Sequence, residues 1–178
     1  MRLFAAICFP EEIKARLEEV LTELSRQAEG NFTRPENLHL TLAFLGETPR
    51  LRAAQAAMHS VKGSPFILTA KGLGRFRRPG GDICWMGLLP CPELLAVQEQ
   101  LASALRAAGF PLEGRAFTPH LTLGREVLLH PGFRLDTFSQ TLPELRIPVK
   151  RLCLMESRRD GGKLVYREIS AVELSAKG

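Results

Sequence analysis

The sequence predicts an α+β fold with two pseudo-symmetric lobes, each a mainly antiparallel sheet flanked by helices, around a central cleft. The string His-Leu-Thr-Leu occurs twice, at residues 39–42 and 120–123, which indicates one equivalent strand in each half. Segments with strand and helix periodicity are interspersed, and some strands are joined by hairpin turns, as in α+β rather than doubly wound proteins. The length of 178 residues predicts a single domain, 1–178, that contains both lobes.

In the first half, apolar periodicity switches between strand and helix. The opening apolar run is typical of a buried central strand. The proline and two glutamates behind it open a helix with acids at the positive end of its dipole. A glycine and an asparagine stop this helix, and a connector leads into the first motif strand. The predicted elements are strand 3–9, helix 10–29, connector 32–37, strand 39–46 and helix 49–62.

The second half adds strands that are joined by turns. A Gly- and Arg-rich stretch and a Pro-Gly-Gly turn separate two predicted strands, and a proline opens the third helix. Residues 130–143 are expected to form a loop or a short helix, and Asp-Gly-Gly at 160–162 predicts a hairpin turn. The predicted elements are strand 65–70, stretch 71–78, strand 83–89, helix 92–108, strand 120–125, strand 145–155 and strand 164–174.

Composition restricts the class of protein without identifying it. The formal net charge of +5 suits a polyanionic ligand such as RNA, although many soluble proteins are as basic. Cys8, Cys84, Cys91 and Cys153 lack C-x-x-C or zinc-ligand spacing, so we expect reduced core cysteines, a cytoplasmic location, and neither metal nor cofactor. The first apolar run is too short for a signal peptide, and no run reaches the length of a membrane span. Nothing demands more than a monomer.

The repeated string carries the candidate chemistry. Because side chains alternate along a strand, His39 and Thr41 share one face, as do His120 and Thr122. If the two strands meet, two imidazoles and two hydroxyls converge on one cleft. Imidazoles titrate near neutral pH, so this set is suited to general acid–base chemistry on a group that carries oxygens. A lone strand histidine would more often be structural, and it is the repeat that favours function.

The motifs and their surroundings resemble the 2H phosphoesterase superfamily, and more closely the RNA 2′,3′-cyclic 3′-phosphodiesterases, also called 2′-5′ RNA ligase-like proteins. The resemblance covers essentially the whole chain; Phe32 departs from it, because the family often has tryptophan there. It implies the 2H phosphoesterase fold and the hydrolysis of a 2′,3′-cyclic phosphate at an RNA or oligonucleotide end to a 2′-phosphate. The same two histidines could also join or cleave 2′-5′ linkages. The segments that carry the resemblance are 1–7, 37–47, 117–125 and 154–157, with Gly162 and Tyr166.

The resemblance also implies a role for each site residue. His39 is the proton donor to the leaving 3′-oxygen and His120 the proton acceptor for water, an order that the residues alone do not give. Thr41 and Thr122 can donate to nonbridging phosphate oxygens, and Arg125 can brace the phosphate. The alternatives are ordinary strand threonines and a solvated arginine at the end of a strand.

Other candidates are weaker. We expect His59 and His130 to be bystanders. The basic stretch 71–78 could guide an RNA backbone or be a solvated loop, and Phe76 and Phe117 could stack on a base or pack in the core. For the whole chain, the alternatives to an enzyme are a non-catalytic nucleotide- or RNA-binding module and a structural protein with buried strand histidines.

Overall fold

The chain folds into nine strands and four helices within residues 1–176, the part that the computed structural model describes. The strands are β1 (Arg2–Cys8), β2 (Ala28–Phe32), β3 (His39–Glu47), β4 (Phe66–Phe76), β5 (Asp82–Leu88), β6 (His120–Leu129), β7 (Leu145–Val149), β8 (Arg151–Asp160) and β9 (Lys163–Glu173). The helices are α1 (Glu11–Arg26), α2 (Leu51–Ser60), α3 (Pro92–Ala107) and α4 (Leu135–Thr141), and a 3₁₀ turn covers Pro35–Asn37.

The strands form two antiparallel sheets, and each sheet contains one motif strand. The first sheet has the order β3-β1-β8-β9 and the second the order β2-β6-β5-β4-β7. The first motif strand, β3, is therefore at an edge, whereas the second, β6, lies inside its sheet. The predicted α+β class and its two lobes are confirmed. As expected, β1 is a central strand, because it pairs with both β3 and β8.

The leucines of both motif strings lie in one hydrophobic core. Leu40, Leu42, Leu121 and Leu123 are all buried, and they share the core with the apolar faces of the helices. Burying one such leucine stabilises the fold by roughly 1.5–3 kcal/mol. The same burial directs the alternate residues of each string, the histidines and threonines, away from the core. No helix among residues 1–176 is long and apolar enough to cross a membrane.

Three secondary-structure predictions were wrong. Helix α1 ends at Arg26, and β2 follows where the end of the helix and a connector were expected. Strand β4 continues through most of the Gly- and Arg-rich stretch, to Phe76. Residues 145–155, predicted as one strand, belong to two strands in different sheets, β7 and β8, because the chain crosses between the sheets at Lys150.

Candidate active site

Both motif histidines begin their strands, and β3 and β6 lie against each other although they belong to different sheets. On β3, His39 and Thr41 are half-buried while the leucines between and after them are fully covered. His120 and Thr122 show the same alternation on β6. The structure thus places both His-x-Thr pairs on the non-core faces of two adjacent strands. We call the region that these two faces border the motif cleft.

Each histidine is oriented by a backbone carbonyl two residues earlier in the chain. His39 Nδ1 lies 2.7 Å from the oxygen of Asn37, and His120 Nδ1 lies 2.8 Å from the oxygen of Thr118. Because a carbonyl oxygen can only accept, each Nδ1 carries a hydrogen and Nε2 is the basic nitrogen of the neutral ring. His39 Nε2 lies 2.9 Å from Thr41 Oγ1. Both rings therefore have Nε2 as the nitrogen that can take up or deliver a proton.

Aromatic rings pack against each histidine. The His39 ring has the Phe4 ring centre at 5.0 Å and that of Tyr166, edge-on, at 5.1 Å. The His120 ring has the Phe76 ring, also edge-on, at 5.2 Å. These contacts restrict rotation of the imidazoles and reduce their access to water. A fixed ring keeps Nε2 pointing in one direction, and a less hydrated ring exchanges its proton less readily with bulk water, so both effects favour proton transfer to or from a positioned group.

Trp85 connects the second sheet to the same site. It pairs directly with Thr122 across β5 and β6, and its ring centre lies 6.4 Å from that of His120. Gly74, its partner on β4, leaves room for the indole, because a Cβ at that position would lie 2.3 Å from the ring. The glycine in this stretch thus allows an aromatic ring to lie flat beside the motif cleft.

Burial and a nearby cation both act on His39. Desolvation is the largest cause that lowers the pKa of His39, the hydrogen bond to Asn37 opposes it, and the positive charge of Arg125 lowers the pKa further. The pKa of Tyr166 is raised by burial, and the charges of Arg125 and Arg2 oppose that rise. Arg125 is exposed on β6, yet its charge acts on two residues of the first sheet. The free protein therefore favours the neutral form of His39.

We expect the change Arg125→Gln to raise the pKa of His39. Removing a nearby positive charge stabilises the imidazolium, so the ring holds its proton to higher pH. The pKa can be followed by NMR titration of the imidazole carbon-bound protons, with the four histidines of the chain assigned by single substitutions. Arg52→Gln, at an exposed position on α2, is the control and should leave the titration unchanged. An unchanged His39 in Arg125→Gln would contradict the electrostatic contact.

The weaker candidates lie mostly outside this site. His59 is exposed and its Nδ1 contacts the Gln55 oxygen of its own helix, and His130 is exposed after β6. Within the basic stretch, Lys71 pairs with Glu144 and Arg75 with Asp82, whereas Arg78 lies over the Phe76 ring at 5.9 Å. Phe117 packs against the main core. Of the two candidate stacking residues, only Phe76 therefore contacts a motif histidine.

Sequence reasoning gave no role in the site to four residues that surround the motif cleft. Phe4 and Tyr166 contact His39, Trp85 contacts His120, and Asn37 orients His39. Asn37 is buried, and its side-chain amide donates to the backbone oxygen of Leu164 on β9 at 3.0 Å. His39 contacts the backbone carbonyl of Asn37, which any residue at this position would supply, so the side chain of Asn37 gave no usable signal for this contact. The aromatic residues gave none either.

Comparison with known proteins gives the same family at the level of sequence and of fold. The model of the 2′-5′ RNA ligase superfamily matches residues 9–161. The chain is 37% identical to an RNA 2′,3′-cyclic phosphodiesterase of Thermotoga maritima over 131 residues, 70% of each chain. It is 34% identical to one of Archaeoglobus fulgidus over 128 residues, 70% of this chain and 72% of that one. The crystal structure of Escherichia coli LigT complexed with 3′-AMP superposes with a TM-score of 0.81 at 26% identity, covering 98% of both chains.

These findings confirm the resemblance that the motifs carry. The family model covers well over half of the chain, and both relatives match more than two thirds of it. The relatives are named for a phosphodiesterase activity, so the prediction of an enzyme family is confirmed with them. The chain belongs to the 2′-5′ RNA ligase superfamily.

Proposed function

We propose that the chain hydrolyses RNA or oligonucleotide ends that carry a 2′,3′-cyclic phosphate, leaving a 2′-phosphate, by metal-independent catalysis with two histidines. The observation that carries the proposal is the matched geometry of the two histidines. Each has Nδ1 held by a backbone carbonyl and Nε2 as its exchanging nitrogen. Its relatives in Thermotoga maritima and Archaeoglobus fulgidus are named for this activity.

In the proposed reaction, one histidine takes a proton and the other gives one. His120 Nε2 accepts a proton from water as the water oxygen bonds to phosphorus. The bond from phosphorus to the 3′-oxygen breaks, and His39 Nε2 donates a proton to that oxygen. The products are a 2′-phosphate and a 3′-hydroxyl, with His120 protonated and His39 neutral, so both rings must exchange a proton with water before the next turnover.

The negative charge of the substrate favours the protonated form of His39 that the reaction requires. The lowered pKa of His39 leaves the free ring neutral, whereas a proton donor must start charged. The cyclic phosphate carries a negative charge, and an anion next to an imidazole raises its pKa. His39 would therefore take up its proton as the substrate binds. This order keeps a charged donor out of the half-buried site until there is an anion to pair with it.

The remaining site residues are proposed to bind the phosphate. The hydroxyls of Thr41 and Thr122, on the same strand faces as the histidines, donate to the nonbridging oxygens, where negative charge develops during attack. Arg125 is exposed and its charge acts on His39 across the strands, which supports a role for its guanidinium in attracting the anionic end of an RNA. A monomeric state and a cytoplasmic location stay predictions.

The test is an assay in excess chelator on an oligoribonucleotide ending in a 2′,3′-cyclic phosphate. We expect ring opening at an undiminished rate and a product that comigrates with a 2′-phosphate standard rather than a 3′-phosphate standard. A 3′-phosphate product, or activity that returns only when a divalent metal is added, would contradict the proposal. RNA that is bound but never opened would favour the alternative, a non-catalytic nucleotide- or RNA-binding module.

A second activity, 2′-5′ RNA ligation, is favoured by the name of the matching family model, the 2′-5′ RNA ligase superfamily. The same proton transfers, with water replaced by a 5′-hydroxyl, would bond that hydroxyl oxygen to the phosphorus of a 2′,3′-cyclic phosphate as the 3′-oxygen leaves, and the reverse reaction would cleave the 2′-5′ linkage. Hydrolysis is favoured in dilute solution because water is in large excess. Mixing a cyclic-phosphate donor with a high concentration of a 5′-hydroxyl acceptor therefore tests for the joined 2′-5′ product.

A further inference from the structure

A cluster of three sulfur atoms lies beside His39 and has no part in the proposed reaction. Cys8 is the direct partner of His39 across β1 and β3, so the two side chains share one face of the sheet. Cys153 and Met155 lie on the neighbouring strand β8, on that same face, in a small hydrophobic cluster with Phe4 and Ala6. Cys8 is half-buried, whereas Cys153 and Met155 are buried. The cluster is therefore largely shielded from water, and Cys8 is its most accessible sulfur.

We propose that Cys8, Cys153 and Met155 form a binding site for the soft monovalent cation Cu⁺ at the edge of the motif cleft. Thiolate and thioether sulfurs are the ligands that select Cu⁺, whereas Mg²⁺ and Ca²⁺ require oxygen. Zn²⁺ sites normally hold four ligands of stronger donor character than a thioether. Two thiols and one thioether in an apolar pocket match the monovalent ion best.

The spacing of the sulfurs agrees with this assignment. Cys8 Sγ lies 3.7 Å from Met155 Sδ. Metal–sulfur bonds of roughly 2.3 Å place the sulfurs of a trigonal or tetrahedral site about 3.8–4.0 Å apart. The Cys8 thiol donates to Met155. Cys153 lies on the same strand as Met155, two residues before it, and belongs to the same cluster, so the three sulfurs share one face of the sheet.

Binding balances in protons and charge without any redox step. Cu⁺ displaces one proton from each thiol and forms bonds to both thiolates and to the thioether, so the loaded site carries a net charge of −1. Of the charged side chains on the neighbouring strands, Arg151 is paired with Glu168, with a nitrogen–oxygen distance of 2.8 Å.

The test is an anaerobic competition for Cu⁺ between the fully reduced protein and a coloured Cu⁺ chelator, read as loss of the chelator's absorbance. We expect the reduced protein to withdraw one Cu⁺ per chain and to release protons in a weakly buffered solution. Cys8→Ser should weaken binding by at least about a hundredfold, because it removes an anionic ligand, and Met155→Leu by about tenfold. Zn²⁺ at the same concentration should not displace the bound ion.

The control is Cys91→Ser, which removes a thiol outside the cluster. Cys91 precedes α3 as its N-cap residue, a position where serine is favoured, so this variant should fold and should retain Cu⁺ binding. Thermal unfolding of all variants, followed by circular dichroism, shows that each is folded. Equal binding by Cys8→Ser and the unmodified chain, or no withdrawal of Cu⁺ by the unmodified chain, would overturn the proposal. Because binding is measured directly, this outcome is independent of the phosphodiesterase assay.

Discussion

Replacement of His39 or His120 by alanine is expected to lower kcat/KM for a 2′,3′-cyclic phosphate end by about 10²–10⁴-fold. Each ring supplies one of the two proton transfers, and its carbonyl bond fixes the nitrogen that does so. Because the two transfers belong to one reaction, the double variant should lose little more than either single variant. The measurement is initial rate against substrate concentration, with folding checked by thermal unfolding.

The matched control is His59→Ala, which removes an exposed histidine bonded only within its own helix and should leave the rate unchanged. A substrate with sulfur in place of the bridging 3′-oxygen separates the two roles, because a thiolate leaves without a proton. It should restore much of the activity of His39→Ala and none of that of His120→Ala. The opposite pattern of rescue would reverse the roles, and retention of activity by either alanine variant on the normal substrate would refute the two-histidine mechanism.

Thr41→Val and Thr122→Val are expected to have the next largest effects, about 10²–10³-fold on kcat, because each removes a proposed donor to the developing phosphate charge. Valine keeps the shape and the strand preference of threonine, so the fold is preserved. Thr41→Val should also remove a hydrogen-bond partner of His39, since the threonine hydroxyl lies 2.9 Å from His39 Nε2. The check is single-turnover kinetics at saturating enzyme.

Serine at either position provides the control for these threonines. Thr41→Ser and Thr122→Ser keep the hydroxyl and lose only a methyl group, so they should retain most of the activity. If valine and serine variants at one position lose activity equally, that threonine contributes packing rather than a hydrogen bond. If all four variants remain fully active, the threonines are ordinary strand residues.

Alternation was sufficient to predict the motif strands and the face on which their histidines lie, because each string is short, regular and half-buried. Strand β2 was missed because Ala28–Phe32 contains Gly30 and Asn31, residues typical of turns, and Glu29, which is uncommon in strands. It is a strand because it pairs with β6, and that pairing is a tertiary contact. The change of sheet between β7 and β8 was missed although the alternation changes phase there, from odd-numbered apolar positions up to Val149 to even-numbered ones from Leu152.

The immediate surroundings of the histidines could not be predicted in the same way. Phe4, Trp85 and Tyr166 are distant in sequence from the histidines they contact, and nothing in their local pattern distinguishes them from core aromatic residues. Glycine at position 74 is typical of a loop, yet in β4 it accommodates the indole of Trp85. The motif therefore gives the reacting groups, and only the folded chain gives the surroundings that hold them.

The hydrogen bond from the Asn37 side chain to the Leu164 backbone has a consequence for the order in which the site forms during synthesis. Asn37 orients His39 through its backbone and contacts β9 through its side chain, and Tyr166 on β9 packs against the same imidazole. Both motif strings are thus synthesised before the final hairpin, and His39 gains its contact with Tyr166 only when that hairpin is complete. A fragment that stops before residue 163 would carry every motif residue and still lack a finished active site.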